Sequence, residues 1–154
     1  MIENTQQPSA EEPRDFFSEE ETNQLIRAIQ AAERRTSGEI RIHIESTCDD
    51  PAERARQVFA ELGMDRTEER NGVLFYLATE SRLFAILGDA GIDERVEAGF
   101  WEGIRTAVLD RFREGEFLAG LTDGLRTAGE SLAKHFPRRS DDANELPDDI
   151  SFGA

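Results

Sequence analysis

The chain has 154 residues, 38% of them hydrophobic, and sets 33 acidic against 18 basic side chains, for a formal net charge of −15. That length suits one domain with a core that needs no disulfides, and the acidic excess excludes nucleic-acid binding through phosphate neutralisation and attraction to anionic lipid. Cys48 is the single cysteine, which excludes an internal disulfide and a multi-cysteine metal site, and no apolar run approaches the roughly 18 residues of a membrane span.

Residues 1–15 are polar, with Pro8, Pro13 and several acids. They read as a flexible arm without the basic-then-apolar pattern of a signal peptide, so the expected compartment is the cytoplasm. A domain is expected over 16–137. Ser18 with Glu21 forms a capping box, and Leu25, Ile26, Ile29 and Ala32 fall on one helical face before Gly38. EIRIHIES alternates: Ile40, Ile42 and Ile44 point one way and Arg41, His43 and Glu45 the other, a strand with one buried face. Asp50 and Pro51 open a second helix with Ala55, Val58, Phe59 and Leu62 as its stripe, closed at Gly63. MDRTEERN reads as a surface loop. GVLFYLAT is a strand covered on both faces, and LFAILGD, after the short TESR turn, is its antiparallel hairpin partner. A long helical pattern follows Gly91 through Val96, Phe100, Ile104, Val108 and Phe112; after Gly115, a last helix carries Phe117, Leu121, Leu125, Ala128 and Leu132 and stops before Pro137. Residues 138–154 form an acidic tail in which Leu146, Ile150 and Phe152 are spaced for docking on the domain itself or on a neighbouring chain.

The helix between the first two strands makes them parallel with a right-handed crossover, and the hairpin adds an antiparallel strand. The expected fold class is α/β: a three-layer α/β/α sandwich on a small mixed sheet, with room for a short fourth strand whose place the pattern leaves open. Chain direction then brings three segments to one end of the sheet: Glu39 at the start of the first strand, Asp65, Arg70 and Asn71 before the second, and Asp89 after the third. Carboxylates gathered there repel one another, and a hard cation bound through oxygen would relieve them. The same residues have plain structural uses: Asp89 as a helix cap, Asn71-Gly72 as a turn pair, Glu39 as an ion-pair partner for Arg70.

TSGEIRIHI at 36–44, FAELGMDRTEERNGVLFYLA at 59–78, FAILGDAGID at 84–93, the FREGEF, GL and HFP series from 112 to 137, and the closing NELPDDISFG at 144–153 resemble the TPM domain family, in its short bacterial single-domain branch. The resemblance implies an α/β/α sandwich with a divalent-cation site, most often calcium, with magnesium as the other candidate. It places that site at Asp65 and Asp89 with Asn71 and Glu39 close by, and matches Arg70 and Arg82 to basic positions suited to a phosphate. It further implies phosphatase activity, photosystem II repair or membrane-protein assembly among relatives.

Three readings follow. The first is a cation-binding, non-catalytic accessory or interaction module with an unidentified protein partner, membrane-associated through that partner rather than by its own insertion. The second is a metal-dependent phosphatase acting on phosphate monoesters, with Arg70 or Arg82 on the phosphate and Asp65 or Asp89 as ligand, base or nucleophile. No phosphate-cradling glycine loop and no nucleophile signature supports it. The third is an apolar scaffold that binds no ion. His43 reads as exposed or hydrogen-bonded, His135 as placed against a helix dipole, Cys48 as a structural or reactive bystander and Trp101 as core packing.

Overall fold

The computed structural model describes residues 12–138 and 150–154. The expected arm over 1–11 and the tail stretch 139–149, with Leu146 and Pro147, lie outside the described residues.

A 3-10 turn at Pro13–Asp15 leads into α1 (Glu19–Glu33). The Ser18 hydroxyl accepts from the Glu21 amide at 3.1 Å while the Glu21 carboxylate accepts from the Ser18 amide at 3.0 Å, so two otherwise orphaned donors are satisfied reciprocally. The helix ends at Glu33, whose buried carboxylate accepts from the Ile40 amide at 2.7 Å and ties the helix end to the start of β1 (Glu39–Glu45). The α2 helix (Pro51–Glu61) starts as its cap signal predicts, with Asp50 accepting from the Ala52 and Glu53 amides. A 3-10 turn at Met64–Arg66 follows, and β2 (Gly72–Ala78) and β3 (Leu83–Gly88) form the hairpin. Next come a single turn, α3 (Ala90–Asp93), and the long helices α4 (Phe100–Arg113) and α5 (Phe117–His135). The expected continuous helix from Gly91 is interrupted: α3 stops at Asp93, and α4 starts at Phe100 after Gly99, which sits at φ +85° in a left-handed conformation.

The sheet order is β3-β2-β1-β4, with β1 and β2 parallel and β2 and β3 antiparallel. The last member, β4 (Ile150–Phe152), runs parallel to β1 and lies in the acidic stretch that composition placed outside the domain. Its three residues are too few for periodicity to register. One sheet face packs against α1, α4 and α5 through Leu25, Ile29, Ile40, Ile42, Ile44, Phe75, Leu121, Leu125 and Leu132; the other packs against α2 through Ala55, Val58, Phe59, Leu74 and Tyr76. This is the three-layer α/β/α sandwich.

Two local expectations are corrected. All seven residues of β1 are buried, including Arg41, His43 and Glu45, so the strand has no solvent face. The segment read as a surface loop buries Met64 under α2 and Thr67 beside it. Thr67 is held in place because its hydroxyl accepts from the Asn71 amide at 3.2 Å.

Candidate functional site

The register makes one edge of the sheet flush. Glu39 pairs with Gly72 and Val73 with Gly88, so β1 and β2 begin where β3 ends. The Asp89 amide donates to the Gly72 carbonyl at 2.9 Å, and the Gly91 amide to the Arg70 carbonyl at 2.7 Å. The loop before β2 is thereby laced to the turn after β3. Arg70 takes φ +53° to make this closure, a left-handed conformation that a non-glycine residue adopts only under local constraint. Gly91 is required because a β-carbon there would run into the Glu69 and Arg70 carbonyl oxygens.

Asp89 is buried, and it caps α3 by accepting from the Ala90 amide at 2.8 Å. Both of its oxygens also receive the Arg70 fork, Nε to Oδ2 at 2.7 Å and Nη2 to Oδ1 at 2.8 Å. The pair is asymmetric: the Asp89 side chain is 7% exposed and the Arg70 side chain 52%. The Asp89 hydrogen bonds and charge, with a lesser contribution from Asp65, make Arg70 hold its proton more firmly than usual. Beside this pair, buried Asn71 donates from its amide to Ser37 Oγ at 3.3 Å, and Ser37 donates to Glu69 Oε2 at 3.0 Å. Glu39 is 3% exposed at the strand start.

The structure therefore brings Glu39, Asn71, Arg70 and Asp89 to one edge. Asp65 belongs to the same end but its side chain faces solvent from the 3-10 turn. Arg82 does not belong there. It closes the β2–β3 hairpin beyond the Ala78–Leu83 pair, at φ +59° and exposed. That is a full strand length, about 20 Å, from Arg70. Arg70 and Arg82 cannot grip one phosphate. Nor do the four expected oxygen donors form a ready cage: among the described residues no three of Asp, Glu, His and Cys are grouped so as to hold a metal ion. The physical reason is that Arg70 already neutralises Asp89 while Asp65 looks outward.

Alternation on β1 hid a second polar group at the other end of the sheet. Glu45 Oε2 accepts from Arg54 Nε at 2.8 Å and from the Tyr76 hydroxyl; Oε1 accepts from Arg54 Nη2 at 3.1 Å and lies 3.3 Å from His43 Nε2. His43 Nδ1 is 2.7 Å from Ser151 Oγ. Burial alone would raise the Glu45 carboxyl, but the hydrogen bonds from Arg54, Tyr76 and His43 outweigh it and hold Glu45 below the usual range. For His43 burial wins over the pull of Glu45, and its pKa is lowered. Tyr76 is pushed up by burial and by Glu45. The signal available in the sequence was a lone tyrosine inside an otherwise apolar central strand, whose hydroxyl needs a buried partner.

The model of the TPM domain matches residues 11–131. The solved structure of the BA42 protein from the psychrophilic bacterium Bizionia argentinensis is 46% identical, covers 90% of this chain and 97% of its own, and superposes with a TM-score of 0.84. An N-terminal domain from P. gingivalis (17% identity, 81% of this chain and 83% of its own, TM-score 0.66) shares the fold. So does the N-terminal domain of cg2496 from Corynebacterium glutamicum (17% identity, 76% and 74%, TM-score 0.55). No curated protein matches. On the extent of the domain match and the near-complete overlap with BA42, the chain belongs to the TPM domain family.

Proposed function

We propose that this TPM domain is a non-catalytic accessory or interaction module, and that a divalent cation, calcium before magnesium, is taken at the edge formed by Glu39, Asn71 and Asp89 in competition with Arg70. The observation that supports this is the Arg70–Asp89 pair. A buried carboxylate is neutralised by a cation that is itself half exposed and carried on a long, rotatable side chain. Asp89, Glu39, Asp65 and the Asn71 carbonyl would be the donors, all of the hard oxygen type that suits calcium. As the side chains stand they do not enclose an ion.

The module reading is favoured over phosphate-ester hydrolysis by the arginines. The Arg70 fork is closed on Asp89, and Arg82 sits at the far end of the sheet. A part in membrane-protein assembly or repair would run through a protein partner; among the described residues no helix is long and apolar enough to cross a membrane.

The test is titration of calcium, then magnesium, into chelated protein, followed by amide chemical shifts. Saturable shifts at Glu39, Asp65, Asn71 and Asp89 are expected, with tighter calcium binding in Arg70→Ala and none in Asp89→Asn. Looser binding in Arg70→Ala refutes the competition. Metal-dependent turnover of a simple aryl phosphate, abolished by Asp65→Asn, refutes the non-catalytic reading.

A further inference from the structure

The β1 edge opposite β2 is filled by the last residues of the chain. Ile42, His43 and Ile44 pair with Ile150, Ser151 and Phe152, and the ladder continues by Gly153 donating to the Ile44 carbonyl at 2.8 Å and Ser46 donating to the Ala154 carbonyl at 3.2 Å. Each position asks for a distinct chemistry. Ile150 is 6% exposed and joins the main apolar core. Ser151 places its hydroxyl on His43. Phe152 lies under the Arg14 guanidinium, 4.9 Å from its ring centre. Gly153 must lack a side chain, because a β-carbon would collide with Glu45.

Two features set this strand apart from the rest of the sheet. At three residues it is the shortest strand of the sheet, and Ser151, Phe152 and Gly153 are only half-buried. The charged floor beneath it does not depend on it: Glu45 is satisfied by Arg54, Tyr76 and His43, all from α2, β2 and β1. Departure of the strand would orphan no buried carboxylate, and water can replace Ser151 on His43. A preformed, polar-floored edge with sequence-selective positions is what strand addition needs: main-chain hydrogen bonds supply affinity and alternate side chains supply selectivity.

We propose that the β1 edge is a strand-acceptor site for an extended partner-protein segment of the pattern aliphatic, serine or threonine, aromatic, glycine, entering parallel to β1, with residues 150–154 as its exchangeable resident. The proposal gives the interaction module its docking surface and is independent of the cation, so its test is run in chelator.

Amide hydrogen exchange on the full chain comes first. The Gly153 and Ser46 amides are expected to exchange at least about a hundredfold faster than those of β2, as for a segment that opens by itself. A synthetic peptide of the sequence from Asp149 to Ala154 is then added. It should shift the amides of Ile42 to Ser46, and do so at lower concentration in Gly153→Val, where the resident strand is expelled; the same peptide carrying valine at the glycine position should not bind. Protection of Gly153 equal to that of β2 overturns the proposal. So does an absence of peptide-induced shifts in both proteins. Should Gly153→Val fail to retain the β2 amide shifts of the native fold, the exchange rates and the native-chain titration decide.

Discussion

Replacing Tyr76 by Phe removes one oxygen from the interior and nothing else. The side chain is fully buried in the central strand, and its hydroxyl donates to Glu45 Oε2. Because the acceptor is a carboxylate held in its ionised form, the bond falls in the charged class, worth about 1.5–3 kcal/mol. Arg54 keeps two hydrogen bonds on the same carboxylate, so Glu45 is not orphaned and the cost should be about 2 kcal/mol. For a domain of this length each kcal/mol moves Tm by roughly 2–4 °C, giving a fall of about 4–8 °C at pH 7. Urea denaturation at pH 7, followed through Trp101 fluorescence and circular dichroism, measures the loss. The same substitution in a Glu45→Gln background should cost less than about 1 kcal/mol, since the amide is a weaker acceptor than the carboxylate. The sign of the pH dependence follows from the direction of the Glu45 shift. Its folded pKa lies below the ordinary 4.5, so the stability it contributes is present above that value and is lost as pH falls through the folded pKa. The Tyr76→Phe penalty should shrink over the same window. A cost under about 0.5 kcal/mol, or one equal in the native and Glu45→Gln backgrounds, refutes the claim that a charged hydrogen bond carries the effect.

His43 makes the second pH prediction. Burial lowers its folded pKa below 6.5, with Glu45 and Glu61 pulling it up and Arg54 pushing it down. The unfolded chain therefore binds more protons near that pH, and stability should fall as pH drops below 6.5. Denaturation curves between about pH 8 and 5 should show this slope in the native chain and a flatter one in His43→Gln; equal slopes would remove His43 from the account. Gly91→Ala should destabilise by about 1–3 kcal/mol because the added carbon meets backbone rather than a side chain that can turn aside. It should also disturb the Arg70 and Asp89 amide shifts more than those of Arg82, a pattern whose absence would separate Gly91 from the edge.

What the sequence made legible tracks what is local. The Ser18–Glu21 box, the Asp50-Pro51 start and the apolar GVLFYLAT run each specify their element through neighbours within a few residues. The direction of the chain then followed from connection rules, and with it the meeting of Glu39, Asn71 and Asp89 at one edge. What failed to show depends on contacts distant in sequence. The polar side of β1 looks like a solvent face until Tyr76, Arg54 and Ser151 arrive from 9 to 108 residues away. Arg70 and Arg82 both match basic positions in the family resemblance, yet one precedes β2 and the other follows it, so the length of a strand separates them.

The charge of the molecule and the charge of its buried groups tell different stories. The formal total is −15, but two of the buried carboxylates, Asp89 and Glu45 at opposite ends of the sheet, each face an arginine fork. Most of the excess sits on the exposed acids, where salt screens it within about 10 Å at ordinary ionic strength. Asp89 and Glu45 are screened far less. A multivalent cation gains little from diffuse surface charge, and it has to displace a bonded guanidinium to gain from either buried carboxylate. Arg54 is the harder to displace. Its side chain is 29% exposed, against 52% for Arg70, and the carboxylate it holds is also held by Tyr76 and His43. On the two proposals the ends differ in what they would exchange: the Asp89 end would trade its cation, while the Glu45 end would keep its charges fixed and trade only the strand laid across them.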